Sequence, residues 1–135
     1  MSGRQCPPVI DIQRVTLAES LRAPARARAW IAENTQGLPD AIVDDAMLVA
    51  SELVTNAVRY GAPEITLGLA RIRGGVRIEV GDCGETLPLL APVVPADHSA
   101  GGRGLLIVAS TATEWGISPH NPPPGKTVWV ELSAR

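Results

Sequence analysis

The clearest helical period of the chain lies between residues 41 and 61. With about 100° of rotation per residue, the apolar side chains of this segment fall on one broad arc and the polar side chains on the other. The apolar arc comprises Ile42, Val43, Ala46, Met47, Val49, Ala50, Leu53, Val54, Ala57 and Val58. This pattern predicts an amphipathic helix with Asp40 as its N-cap. Gly61 is expected to end the helix in a left-handed conformation.

Two polar residues lie at the border between these arcs. Glu52 and Asn56 are four positions apart, so their side chains are about one helical turn apart on the same side of the helix. Two interpretations stay open at this point. The carboxylate and the amide either face a cleft or belong to an ordinary solvated helix face.

The remaining elements follow from period-two alternation, glycines and prolines. In chain order they are an edge strand at 9–18, a helix at about 24–34, a hairpin of strands at 65–72 and 76–80, a helix that follows glycines at 101–104, a short strand at 114–117 and a last strand at 127–132. Residues 85–100 are rich in proline and predict a loop over an apolar surface. This order predicts an α+β two-layer sandwich, with a mixed, mainly antiparallel sheet and helices on one face.

The end of the second hairpin strand carries an acidic residue. Val76, Ile78 and Val80 share one face, and the same parity places Asp82 toward the helices. A buried carboxylate needs a partner because burying an unpaired charge is costly. The alternative is that Asp82 turns out to solvent beyond the last ladder bond.

Glycines also precede the predicted third helix. The segment Gly101-Gly-Arg-Gly104 would expose backbone N–H groups at the positive end of the helix dipole, which is a phosphate-binding arrangement. Glycines before a helix are also common as plain turns, so this motif alone is a weak signal.

Composition limits the class of protein. The 135 residues suffice for one domain, expected at 9–135 after a flexible lead at 1–8. The net charge of −2 is spread without a basic stripe, which argues against direct nucleic-acid binding. Two isolated cysteines, Cys6 and Cys83, and the lack of a leader or membrane-length apolar run favour a cytoplasmic protein with no membrane contact. His98 and His120 lie in loops without a metal-binding pattern.

Three motifs in a fixed order resemble the N, G1 and G2 boxes of the GHKL, or Bergerat-fold, ATP-binding family. They are Glu52-Leu-Val-Thr-Asn56-Ala-Val-Arg59-Tyr-Gly61, Val80-Gly-Asp82-Cys-Gly84 and Gly102-Arg-Gly104-Leu105. Within that family the chain is similar to the small branch of anti-sigma factor serine kinases, the SpoIIAB and RsbW type, and to its short actinobacterial relatives. The resemblance extends from about the first strand to Leu132.

The resemblance implies a role for each matching residue. Asn56 would coordinate a Mg²⁺ ion that bridges the phosphates of ATP. Glu52 would be the general base that takes a proton from a serine hydroxyl or water. Asp82 would accept a hydrogen bond from the adenine amino group, and Gly84 would let the backbone pass close to the base.

Further nucleotide contacts are implied by the same resemblance. Gly102 and Gly104, with the amides after Arg103, would hold the phosphates, and residues 85–100 would form a lid. Contacts from Arg59, Leu105 and Thr127 are also expected. The chain departs from the family pattern in its short lid and in Gly125-Lys126-Thr127, where family members often have Gly-Thr.

By resemblance, the expected function is an ATP-dependent regulatory switch. It would bind a sigma factor, or bind an anti-anti-sigma partner of the STAS type and phosphorylate it on serine, and a homodimer is one expected state. The alternative is a nucleotide-binding interaction module that has other partners and transfers no phosphate. A detached histidine-kinase domain is disfavoured because no helical hairpin carries a phosphoacceptor histidine.

Overall fold

A computed structural model describes residues 11–84 and 111–134. Within these ranges the chain forms two helices and five strands. They are β1 (Gln13–Leu17), α1 (Ala23–Asn34), α2 (Asp40–Tyr60), β2 (Ile65–Ile72), β3 (Gly75–Asp82), β4 (Glu114–Pro119) and β5 (Lys126–Ser133). The predicted lead at 1–8, the lid at 85–100 and the glycine segment at 101–104 lie outside the described residues, as does most of the helix predicted after it.

The five strands form one sheet in the order β1-β2-β3-β5-β4, and each neighbouring pair is antiparallel. The helices α1 and α2 pack together, and α2 lies across β2, β3 and β5. The predicted two-layer α+β sandwich is therefore confirmed. In the described ranges, neither helix is long and apolar enough to cross a bilayer.

The hydrophobic core lies between α2 and the sheet. From α2 it receives most of the predicted apolar arc, and from the sheet it receives the alternate residues of β3 and β5. Its most buried members include Val49, Leu53, Val54, Val76, Ile78, Val80, Val128, Val130 and Leu132. Helix α1 contributes Ala23, Ala27 and Ile31, and the small alanines let it approach α2 closely. The side chains on the helix-facing parity of β3 and β5 therefore point at α2.

Both predicted ends of α2 need correction. Asp40 is the first helical residue and Pro39 is the N-cap, with no side-chain capping bond. The Asp40 carboxylate is still placed well, because negative charge in the first turn is favourable with the helix dipole. Gly61 donates its N–H to the Ala57 carbonyl at 2.9 Å but has an extended conformation, with φ −96° and ψ −158°. The prediction of a left-handed Gly61 was wrong, and the need for glycine there has another cause.

Candidate functional site

A cleft opens where the last two turns of α2 meet the ends of β3 and β5. Its lining combines apolar residues with a carboxylate, an amide and an amine: Leu53, Asn56, Ala57, Tyr60, Gly61, Val80, Asp82, Lys126 and Val128. The cavity in the cleft has a volume of about 20 Å³. This is room for about one water molecule.

Asp82 is buried at the end of β3, as strand parity predicted. Its partner is Lys126, which lies directly opposite in the register of β3 and β5. The Lys126 Nζ donates to Asp82 Oδ1 at 2.9 Å and to Oδ2 at 2.8 Å. The Gly84 N–H donates to Oδ1 at 2.7 Å. The two charged side chains are each only 5% exposed, so the cleft contains a buried ion pair.

The turn before β5 brings Lys126 into this position. The His120 N–H donates to the Gly125 carbonyl at 2.9 Å, which closes the turn. Gly125 has φ +109°, a left-handed conformation that favours glycine. A Cβ atom at Gly125 would also collide with the Asp82 carbonyl oxygen. A glycine at 125 therefore allows β5 to begin directly beside the end of β3.

Two glycines from different motifs pack against the Asp82 carboxylate. A Cβ atom at Gly61 would lie 2.5 Å from Asp82 Cγ and 2.6 Å from Oδ1. A Cβ atom at Gly84 would lie 2.9 Å from the Gly61 Cα and 3.0 Å from Asp82 Oδ1. The Cys83 N–H also donates to the Ala62 carbonyl at 2.8 Å, which ties the segment after β3 to the end of α2. The absence of a side chain at Gly61 thus leaves room for the Asp82 carboxylate.

Asn56, which the sequence placed at the border between the polar and apolar arcs, is buried in the same cleft. Among the described residues, its Nδ2 atom has no hydrogen-bond partner. Leaving a buried amide unpaired costs about 1–3 kcal/mol. Buried polar groups in folded proteins are nearly always paired, so an orphaned amide that faces a cleft is a group available to a ligand.

Glu52 lies one turn before Asn56 on α2 and is half-buried. Burial raises the pKa of the Glu52 carboxyl, and the positive charge of Arg28 on α1 partly opposes this rise. Glu52 does not line the small cavity that holds Asp82 and Asn56. The structure therefore places a carboxylate of raised proton affinity beside the cleft.

Two predicted contact residues do not line the cavity. The Thr127 Oγ1 lies 3.0 Å from His120 Nε2. Side chains alternate along β5, so Thr127 points to the sheet face opposite the helices. Arg59 is exposed, with its guanidinium carbon 5.5 Å from the centre of the Tyr60 ring. The predicted contacts Gly102, Arg103, Gly104 and Leu105 lie outside the described residues.

Lys126 was missed in the sequence, although a signal for it exists. Position 126 shares its parity with Val128, Val130 and Leu132, which were predicted to face inward. Extending that parity by one step places Lys126 on the helix-facing side. The inward face of β5 thus begins with a buried amine opposite a buried carboxylate.

The family model described as the histidine kinase-like ATPase domain matches residues 16–132. The chain belongs to this family. Membership implies ATP binding and agrees with the GHKL resemblance of the three motifs. No curated protein matches the chain significantly.

Solved structures share the fold of this histidine kinase-like ATPase domain. One contains the RsbU and RsbW domains of Rv1364c from Mycobacterium tuberculosis, with 24% identity, a TM-score of 0.65, and coverage of 93% of this chain and 34% of that one. Another is the histidine kinase domain of the blue-light activated histidine kinase EL346 from Erythrobacter litoralis, with 18% identity, a TM-score of 0.53, and coverage of 83% and 59%. At these identities the likeness shows the fold alone. The chain spans about a third of the first structure and 59% of the second.

Proposed function

We propose that the cleft between α2 and the ends of β3 and β5 binds Mg-ATP, and that the chain uses it as a protein serine kinase that regulates a sigma factor. The observation that carries this proposal is the orphaned amide of Asn56. It is buried in the same cleft as Asp82, within a chain of the histidine kinase-like ATPase family. A buried polar group without a hydrogen-bond partner destabilises the fold, and a ligand that bonds to it removes this penalty.

The donor set fits a magnesium ion that is shared with phosphates. Mg²⁺ prefers oxygen ligands and usually takes only one or two from the protein, the others coming from phosphates and water. In the described part of the chain, no group of three or more His, Cys, Asp or Glu could hold a metal. Asn56 can offer its amide oxygen by rotating about its last bond. When bound, the ion would neutralise charge on the transferring phosphate.

Asp82 would hold the base of the nucleotide. Its buried carboxylate can accept from an exocyclic amino group, and Leu53, Val80 and Val128 provide apolar walls for a flat ring. Gly61 and Gly84 let the backbone approach the carboxylate without a side chain in contact with it. Arg59 and Thr127 do not line the cavity beside Asp82, so we assign neither of them a contact with the base.

Glu52 would accept the proton of the attacking hydroxyl. In the proposed reaction, the serine oxygen forms a bond to the γ-phosphorus, the bond from this phosphorus to the bridging oxygen breaks, and ADP leaves. A general base works best when its pKa is close to the working pH, and burial moves the pKa of Glu52 in that direction. A positioned base contributes about 10²–10⁴-fold to the rate.

The partners in this proposal are a sigma factor and an anti-anti-sigma protein of the STAS type. Support comes from the shared fold with a structure that contains an RsbW domain. The second candidate is a nucleotide-gated interaction module that transfers no phosphate. It is favoured by the position of Glu52, which lies outside the cavity lining.

Phosphate transfer separates the two candidates. Tagged wild-type chain with Mg-ATP is used to capture partners from a native lysate, and bound proteins are analysed for phosphoserine. Glu52→Gln should retain the partner and abolish its phosphorylation. Glu33→Gln, which changes an exposed glutamate on α1, is the matched control and should phosphorylate normally. A partner that binds equally to all three chains and never gains phosphate would support the interaction module.

A further inference from the structure

The buried ion pair in the cleft still has hydrogen-bonding capacity on both sides. An ammonium group has three N–H donors, and Lys126 directs two contacts to Asp82. A carboxylate has about four lone-pair sites, and Asp82 receives two contacts from Lys126 and one from the Gly84 N–H. Counting contacts from residues 11–84 and 111–134, one donor and one acceptor site therefore remain on the pair.

Both side chains line the same small cavity. Its volume of about 20 Å³, room for about one water molecule, admits only the outermost atoms of a ring and is too small for a whole nucleoside. The exposure of each side chain is only 5%, so bulk water competes little for the remaining donor and acceptor. Hydrogen bonds to charged groups in such a setting are the strong ones.

We propose that Lys126 is a base-reading residue, and that the Asp82–Lys126 pair recognises a ring edge on which a donor lies next to an acceptor. This inference rests on the proposed nucleotide site. Adenine offers such an edge with its 6-amino group and the neighbouring N1. Asp82 accepts from the amino group, and Lys126 donates to N1 without releasing Asp82.

A bound complex in which the Asp82–Lys126 pair stays intact is lower in free energy than one in which the base separates the pair. If the base displaced Lys126 from Asp82, a buried ammonium would lose its partner, and an unpaired buried charge is strongly unfavourable. A base with the reversed order of groups is rejected. In hypoxanthine the 6-oxygen would face the carboxylate and the N1–H would face the ammonium, so both contacts become repulsive.

The test compares nucleotides that differ only at this edge. Calorimetry gives Kd for Mg²⁺ complexes of ATP, of its 1-deaza analogue, in which a C–H replaces N1, and of ITP. Wild-type chain should bind ATP about tenfold or more tightly than the 1-deaza analogue, and ITP more weakly still. Lys126→Met retains the length of the side chain and should bind ATP and the 1-deaza analogue equally.

Asn56→Ala is the matched control, because Asn56 lines the same cavity and its Nδ2 donates to no described residue. It should weaken ATP and the 1-deaza analogue by the same factor. The comparison of nucleotides on wild-type chain needs no variant, so it decides the matter even if Lys126→Met fails to fold.

Two results would overturn the role of Lys126 while leaving the nucleotide site intact. One is equal affinity of wild-type chain for ATP and the 1-deaza analogue. The other is tighter ATP binding by Lys126→Met, which would make Lys126 a plug that the base must displace. If wild-type chain binds none of the nucleotides, the proposed Mg-ATP site fails and this inference fails with it.

Discussion

Replacing Gly61 by alanine should displace the Asp82 carboxylate in the cleft, although Gly61 itself has no side chain that could contact a ligand. The added Cβ would lie 2.5 Å from Asp82 Cγ, 2.6 Å from Asp82 Oδ1 and 2.7 Å from the Ala57 carbonyl oxygen. Ordinary contacts at a Cβ are 3.4–4 Å, so the Asp82 carboxylate has to shift by about 1 Å. The backbone adds no strain, because φ −96° and ψ −158° suit any residue.

The expected cost has two parts. Overpacking of a well-filled site costs about 1–3 kcal/mol of folding free energy. For a domain of this size, that corresponds to a fall in Tm on the order of 5–10 °C. In addition, a shifted Asp82 loses its bond to the base. A hydrogen bond to a charged group contributes about 1.5–3 kcal/mol, so Kd for Mg-ATP should rise about 10–100-fold.

Gly37→Ala is the control for this experiment. Gly37 lies between the two helices with φ +89° and has no atom within 4 Å of an added Cβ. Alanine there suffers left-handed strain of about 1–2 kcal/mol and touches nothing in the cleft. Thermal unfolding and calorimetric titration should show both variants destabilised, with only Gly61→Ala weakened in ATP binding. Equal ATP affinity of Gly61→Ala and wild-type chain would refute the argument.

Three further changes have distinct expected outcomes. Asn56→Ala should leave the free energy of unfolding within about 1 kcal/mol of wild type, because relief of an unpaired amide offsets lost packing, and should raise the calorimetric Kd for Mg-ATP about 10–100-fold. Since burial raises the pKa of Glu52, phosphate transfer should decline as pH falls through a pKa higher than that of an ordinary glutamate, and a pH–rate profile should show this limb. Gly116→Ala should cost about 1–3 kcal/mol in denaturation, because its Cβ would lie 2.8 Å from the Trp129 ring, with ATP affinity unchanged.

The raised pKa of Glu52 also affects stability. The folded chain holds this proton more tightly than the unfolded chain does, so ionisation of Glu52 costs folding free energy. That part of the stability is present below the unfolded pKa and is lost as pH rises through the folded pKa. Between acidic and neutral pH, the Glu52→Gln variant should therefore lose less folding free energy than wild-type chain. A denaturation series over pH would contradict this if both chains lost stability equally.

Periodicity predicted the elements that bury an apolar face. The apolar residues of the α2 arc and the alternate residues of the β2–β3 hairpin pack into the same hydrophobic core. The same parity gave an inward Asp82 as one of two open positions, and the structure buries it. These inferences succeeded because each depends on neighbours within one element.

The missed features depend on contacts between distant parts of the chain. Lys126 meets Asp82 because of the register between β3 and β5, 44 positions apart in sequence. Gly61 is a glycine because Asp82 packs on it, and not because the helix end needs a left-handed residue. Thr127 is different, because its position has a local cause. The resemblance implied a contact at the cleft, whereas alternation along β5 turns Thr127 to the opposite face of the sheet.

The most direct test of the nucleotide site is the Tm of wild-type chain and of Asp82→Asn with and without Mg-ATP. At 100 times Kd, ligand binding should stabilise the wild-type fold by about 2.7 kcal/mol, a rise in Tm on the order of 10 °C. Asp82→Asn should show a much smaller rise at the same concentration. If wild-type chain shows no rise, or if both chains rise equally, the cleft around Asp82 is not the nucleotide site.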